Sequence, residues 1–268
     1  MKPIGPVARR TTLMAFLAAG IFVPAAPAMA SATFDACAAE AASQYEVGYE
    51  STGRETWDIN TTTAIEACKK ALEAEPDSSQ LKGWLARAYF ADGNYEDAVP
   101  LFEEAAEGDS VVAQAIFGDM LITGDGVDVD MERGAGFLKR GAEAGFALAQ
   151  NSLGLSYDFA EGVEQDYNEA ARWYRAAAEQ GMPKAQSNLG LMYQDGLGVP
   201  QDYVAAAAWF QLAVDAGDVS AHVNLGKLIQ DGLGQKSDPK RAAELYKVAA
   251  DQGDMYGQNN LAFLYENG

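Results

Sequence analysis

Four copies of one 36-residue unit run in register through the second half of the chain. They open at Ala113, Ala149, Ala185 and Ala221, and a fifth starts at Gly257. Self-similarity at a period of about 20–50 residues marks a solenoid, in which each unit is a small hairpin that buries its apolar face only against its neighbours. The repeat therefore dictates an elongated stack of identical modules before any single residue is considered.

Within each unit the pattern predicts helix, loop, helix. The first helix carries Ala-x-x-x-Leu-Gly-x-x-Tyr, as at Ala149, Leu153, Gly154 and Tyr157, and again at Ala185, Leu189, Gly190 and Tyr193. Steps of four, one and three residues put all four side chains on one helical face, the core stripe. A glycine in mid-helix costs about 1 kcal/mol against alanine. Its recurrence predicts a neighbouring helix too close for a Cβ. Paired loop glycines follow, Gly196 with Gly198 and Gly232 with Gly234, then a second helix over 202–216 with Ala206, Ala207, Phe210 and Ala213 as its packing residues. Gly217 closes that helix, in one column with Gly145, Gly181 and Gly253.

The strings Ala185-Gln186-Ser187-Asn188-Leu189-Gly190 and Gly196-Leu197-Gly198-Val199-Pro200-Gln201-Asp202, with the alanine and glycine columns behind them, resemble the SEL-one-like repeat, a relative of the tetratricopeptide repeat. The resemblance covers residues 113–268. It implies an all-α fold, a right-handed solenoid of αα-hairpins, and the family's shared role as a scaffold for protein–protein contacts. Departures are local: Phe117-Gly118 stands for Leu-Gly, Leu121 and Ile229 for the tyrosine, and Ala160 for a loop glycine. Upstream, Leu85, Ala86, Tyr89, Gly93-Asn94-Tyr95, Ala98, Phe102 and Ala105 have a shorter inter-helix turn, so residues 79–112 resemble an ordinary tetratricopeptide unit. Helical stretches over 34–47 and 61–75 are expected to form a degenerate hairpin, 31–78, that caps the stack.

Residues 1–30 are expected to be a signal peptide. Lys2, Arg9 and Arg10 form a basic start, 13–23 is apolar, and Ala28-Met29-Ala30 offers a small-x-small cleavage site before Ser31. Eleven apolar residues are too few to span a bilayer as helix, which takes about 20; an uncleaved, membrane-anchored form is the alternative. Export to the periplasm or medium would favour a disulfide between the two cysteines, Cys37 and Cys68, both in the proposed cap. Two buried free thiols are the plainer reading.

Removing 1–30 would take away three bases and no acid, moving the formal net charge from −20 to −23. Such a surface should repel nucleic acid and anionic membrane and favour a basic protein or peptide, unless it serves only solubility. Candidate chemistry is sparse. Asp125, Asp128, Asp130 and Glu132 suggest a calcium loop, but Arg133 stands where glycine is required and Lys139 where the bidentate glutamate should be. Gly196-x-Gly198 follows no strand, which argues for turns and against a phosphate cradle. The only histidine, His222, occupies a column otherwise filled by glutamine, and Trp173 and Trp209 recur at the repeat period as packing residues would. No cofactor or metal is expected.

On the helical wheel, positions opposite the core stripe should line a concave groove. These are Ala115, Asp119 and Ile122; Asn151, Leu155 and Asp158; Ser187, Leu191 and Gln194; and Val223, Lys227 and Gln230. Apolar residues flanked by amides and acids suit an extended peptide or a partner helix; the plain alternative is that they only pack against the next hairpin. The favoured function is an exported adaptor or regulator. The rival is a secreted hydrolase, since some exported members of the family have been linked to β-lactam hydrolysis. Those members carry cysteine pairs in nearly every repeat, whereas residues 113–268 hold none. The half repeat at the end, with Leu261, Phe263 and Leu264, suggests self-association as a further way to cover apolar surface.

Overall fold

The computed structural model describes residues 32–46, 48–49 and 53–267, and the expected leader, with its cleavage site, lies outside them. Among the described residues the chain is all-helical: α1 (Ala32–Ala41), α2 (Thr61–Ala74), α3 (Ser79–Ala91), α4 (Tyr95–Glu107), α5 (Val111–Thr123), α6 (Met131–Glu143), α7 (Ala147–Phe159), α8 (Tyr167–Glu179), α9 (Pro183–Asp195), α10 (Tyr203–Asp215), α11 (Val219–Asp231), α12 (Pro239–Asp251) and α13 (Met255–Asn267). Each helix packs on its successor, so α3 with α4, α5 with α6, and on to α11 with α12 form stacked hairpins, while α13 opens a further one.

Every helix from α3 onward has 13 residues. Local chemistry explains the uniform length. An aspartate precedes each second helix of the long units, Asp130, Asp166, Asp202 and Asp238, and accepts hydrogen bonds from backbone amides of the first turn, a cap that contributes about 1 kcal/mol. First helices end at a left-handed residue: Gly124, Gly196 and Gly232 have φ of 79°, 71° and 70°. Ala160, which breaks the glycine column, adopts the same conformation at φ 61° and is the only described non-glycine residue with positive φ.

The core stripe is realised. Leu153, Leu189 and Leu225 are fully buried, as are the rings facing them, Tyr174, Phe210 and Tyr246. The glycine beside each leucine makes room for such a ring: a Cβ on Gly190 would lie 2.6 Å from Phe210 Cε1, one on Gly154 2.6 Å from Tyr174 Cδ1, and one on Gly226 2.7 Å from Tyr246 Cε1. The close neighbour is thus an aromatic ring of the second helix of the same hairpin.

At the N-terminal end, α1 and α2 pack together and are joined by a Cys37–Cys68 disulfide with Cα atoms 4.6 Å apart. α1 is shorter than the 34–47 expected. It stops at Ala41, and the described residues from Ser43 to Asp58, here called the arm, hold one bridge, Ser43 to Arg54, and one turn of 3₁₀ helix at Thr56–Asp58. Tertiary contacts outweigh helix propensity here: the Arg87 guanidinium donates to the carbonyl of Ala41, the last residue of α1, at 2.8 Å and to that of Arg54 in the arm at 2.5 Å.

Candidate binding groove

The first helices of the hairpins, α3, α5, α7, α9 and α11, lie side by side. Their second, sixth and ninth residues form three columns: Gln80, Trp84 and Arg87 on α3; Val112, Ile116 and Asp119 on α5; Leu148, Ser152 and Leu155 on α7; Lys184, Asn188 and Leu191 on α9; Ser220, Asn224 and Lys227 on α11. The arm shows what these columns do with an extended segment. The Glu46 carboxylate accepts from Trp84 Nε1 at 3.0 Å and from Gln80 Nε2, Tyr49 sets its ring edge against Trp84 with centroids 5.3 Å apart, and Arg87 holds the arm carbonyl of Arg54 together with that of Ala41 at the end of α1. Further along, Thr56 lines a cavity with Ile116 and Asp119, and Gln44 and Tyr45 line another with Ala147 and Pro183. Glu46 and Arg87 are almost fully buried. Burial pushes the Glu46 carboxyl up, against the donors Trp84, Ser43 and Gln80, and lowers Arg87 to about 10 despite the attraction of Glu46 and Glu55.

Past the arm, an opening lies between α7 and α9. A cavity of about 420 Å³ is lined by Leu155, Phe159, Leu191, Met192 and Leu197, with Asp158, Asp195, Asn188 and the Tyr167 and Tyr174 side chains around it. Phe159 is 65% exposed. Tyr174 donates its hydroxyl to Asp158 at 3.1 Å; burial raises the Asp158 carboxyl and that bond partly offsets it. One repeat on, the corresponding space between α9 and α11 is about 150 Å³, with Lys227 in place of Leu191 and Gln194 in place of Asp158.

The residues expected to line a groove are divided by this geometry. Leu155, Asp158, Leu191, Gln194 and Lys227 line the two cavities; Asp119 faces the arm. Val223 and Gln230 are half-exposed, the latter accepting from the Tyr246 hydroxyl at 2.9 Å. Ala115, Ile122, Asn151 and Ser187 are buried. Asn151 accepts from Asn188 at 3.1 Å, and Ser187 donates to Asp218 at 2.8 Å, so these two serve seams between successive first helices. The expected stripe is therefore split between cavity and seam, because a helix inside a solenoid packs on its own hairpin and on both neighbours. The signal missed was the helix start, two residues before each repeated alanine, together with the arm.

Two carboxylates at the seams titrate unusually. Asp119 accepts from Ser152 Oγ at 2.9 Å, yet burial, helped by nearby Glu161, pushes it up to about 7. For Asp218, burial acts upward too, but donation from Ser187 and Ser220 and the proximity of Lys184 outweigh it and hold the carboxyl below its ordinary value. The other candidate chemistry has structural employment. His222 is buried with Nδ1 3.0 Å from the Asp218 carbonyl, and Asp130 of the acidic loop caps α6. Among the described residues no three His, Cys, Asp or Glu side chains are grouped to hold a metal ion, and no helix is long and apolar enough to cross a membrane.

The Sel1 repeat profile matches residues 111–146, 147–182, 183–218 and 219–254, and a tetratricopeptide repeat profile matches 60–115. The fold is similar to that of c5321, described as a protective antigen of uropathogenic Escherichia coli with an SLR fold, at 31% identity and a TM-score of 0.65 over 84% of this chain. The chain spans 47% of the length of that protein. A Sel1 repeat protein from Oxalobacter formigenes is 32% identical with a TM-score of 0.65, the match covering 69% of this chain and 74% of that one. Pseudomonas aeruginosa pilF, at 18% identity and a TM-score of 0.56 over 87% of this chain and 99% of its own, shares the fold alone. No curated protein matches the chain.

Proposed function

The chain belongs to the Sel1 repeat family, and from that premise we propose that it is an exported interaction scaffold, an adaptor or regulator that holds an extended segment of another protein in the groove of its first helices. The observation that carries this reading is the arm: on α3 the groove columns already grip a non-helical segment, and the ninth-residue column continues at the cavities along α7, α9 and α11. Export is supported by the basic, apolar and small-residue order of residues 1–30 and by the disulfide in the cap. A scaffold reading needs no catalytic group, and the one histidine is engaged by a backbone carbonyl.

The test is capture of partners from the exported fraction with wild-type protein and with two variants. Leu155→Ala with Leu191→Ala should lose partners that the wild type recovers, as each buried leucine contributes on the order of 2 kcal/mol. Both leucines also touch the core, so Phe159→Ala, at an exposed position, serves as the variant whose melting temperature should not move. Partners recovered equally by all three folded proteins would remove the groove from the function.

A further inference from the structure

The chemistry of the open groove is ordered along its length, and the order specifies an occupant. The ninth-residue column runs Asp119, Leu155, Leu191, Lys227. Around the two leucines lies the 420 Å³ cavity, large enough for a leucine, methionine or phenylalanine side chain, with Met192, Leu197 and Phe159 as further apolar wall. Asp158 and Asp195 line the same cavity. One helix further on, Lys227 is exposed at the narrower cavity that replaces it. The acid–apolar–base sequence is a property of these side chains and not of the repeat, since the repeat's consensus positions face the core. Neighbouring helices pack about 8–10 Å apart, and an extended chain rises about 3.3 Å per residue, so an occupant advances about three residues from one helix to the next.

We propose that the α7–α11 stretch of the groove recognises an extended segment of a partner protein carrying a large apolar side chain for the α7–α9 cavity, a lysine or arginine beside it for Asp158 and Asp195, and an aspartate or glutamate about three residues away for Lys227. This rests on the groove reading above and adds the chemistry of the occupant. An extended segment is favoured over a helix because the segment the groove is seen to hold, the arm at Glu46 on Trp84 and at Arg54 on Arg87, is not helical. Opposite charges set at two points also fix the segment's register and direction, which an apolar pocket alone leaves free.

The experiment uses fluorescence anisotropy with purified protein and labelled synthetic peptides of about twelve residues, each made in both chain directions. The first carries lysine, leucine and a glutamate three residues on, in a glycine–serine background; the second replaces leucine by serine; the third exchanges lysine and glutamate. In one direction the first peptide should bind at least about tenfold tighter than the other two. Lys227→Glu, at an exposed position, should weaken the first peptide and restore binding of a fourth in which only the glutamate is changed to lysine. Equal binding of all peptides, or no rescue by the Lys227→Glu exchange, overturns the assignment. If no peptide binds while Phe159→Ala still loses a partner captured by the wild type, the occupant's chemistry is wrong and the groove reading survives. If peptides bind but Phe159→Ala and Leu191→Ala leave their affinity unchanged, the groove reading fails with it.

Discussion

A single atom decides the Leu-Gly column. The space a Cβ on Gly190 would need is taken by the Phe210 ring, and that ring is fully buried. Gly190→Leu should therefore cost more than about 2 kcal/mol, since overpacked cores lose roughly 1–3; a thermal melt reads it, and an unchanged midpoint would mean that the ring has room to move. Asp119 makes a prediction in pH. Its carboxyl is raised to about 7 in the fold against about 3.9 unfolded, so between those values the unfolded chain has ionised and the folded one has not. Its contribution is fully present below about pH 4 and is lost as pH rises through 7. Asp119→Asn, which keeps an acceptor for Ser152, should match the wild type near pH 4 and exceed it in stability near pH 8. Denaturant midpoints at the two values test this, and a difference independent of pH would place the titration elsewhere.

Among the elements, the cap and its arm depart furthest from the repeat. α1, the arm and α2 are held by one disulfide and by a polar cluster around Trp84 and Arg87. Closing a loop with a sequence separation of 31 residues stabilises by about 4 kcal/mol in the chain-entropy model. Changing Cys37 and Cys68 to serine should release the arm first. Hydrogen exchange should quicken over α1, the arm and α3 while α8–α12 stay protected, because in a linear stack each hairpin answers mainly to its neighbours. Uniform loss of protection along the chain would show one cooperative unit. Freed of the arm, Trp84 and Arg87 would join the open columns and lengthen the groove.

At the scale of the whole molecule, charge sets how a partner arrives and apolar contact how long it stays. With a formal net charge of −20 for the full chain, approach of a basic partner should slow as salt rises, since the screening length shrinks from about 10 Å at 0.1 M to about 3 Å at 1 M. The association rate should fall at least about tenfold over that range and the dissociation rate change far less. Stopped-flow or surface-binding kinetics separate the two, and a salt-independent association rate would leave the acidic surface with solubility alone.

The repeat determined most of the architecture from sequence, because periodic spacing is a local property that any copy reveals and four copies average out the exceptions. The Leu-Gly stripe, the aspartate caps and the glycine turns all follow from it, and Ala160 takes up the left-handed turn because its neighbours on both sides demand that geometry. The two cysteines were legible as a pair once export was inferred, since only two exist. Where the open face lies was decided by tertiary structure. A wheel knows one packing partner, whereas each first helix has three, and the third turned Asn151 and Ser187 inward to the seams. The arm was illegible for a related reason: residues 43–46 have ordinary helical composition, and partners far along the sequence, Trp84 and Gln80 on Glu46 and Arg87 on Ala41 and Arg54 to either side, draw them out of the helix and onto α3, where long-range hydrogen bonds override local propensity.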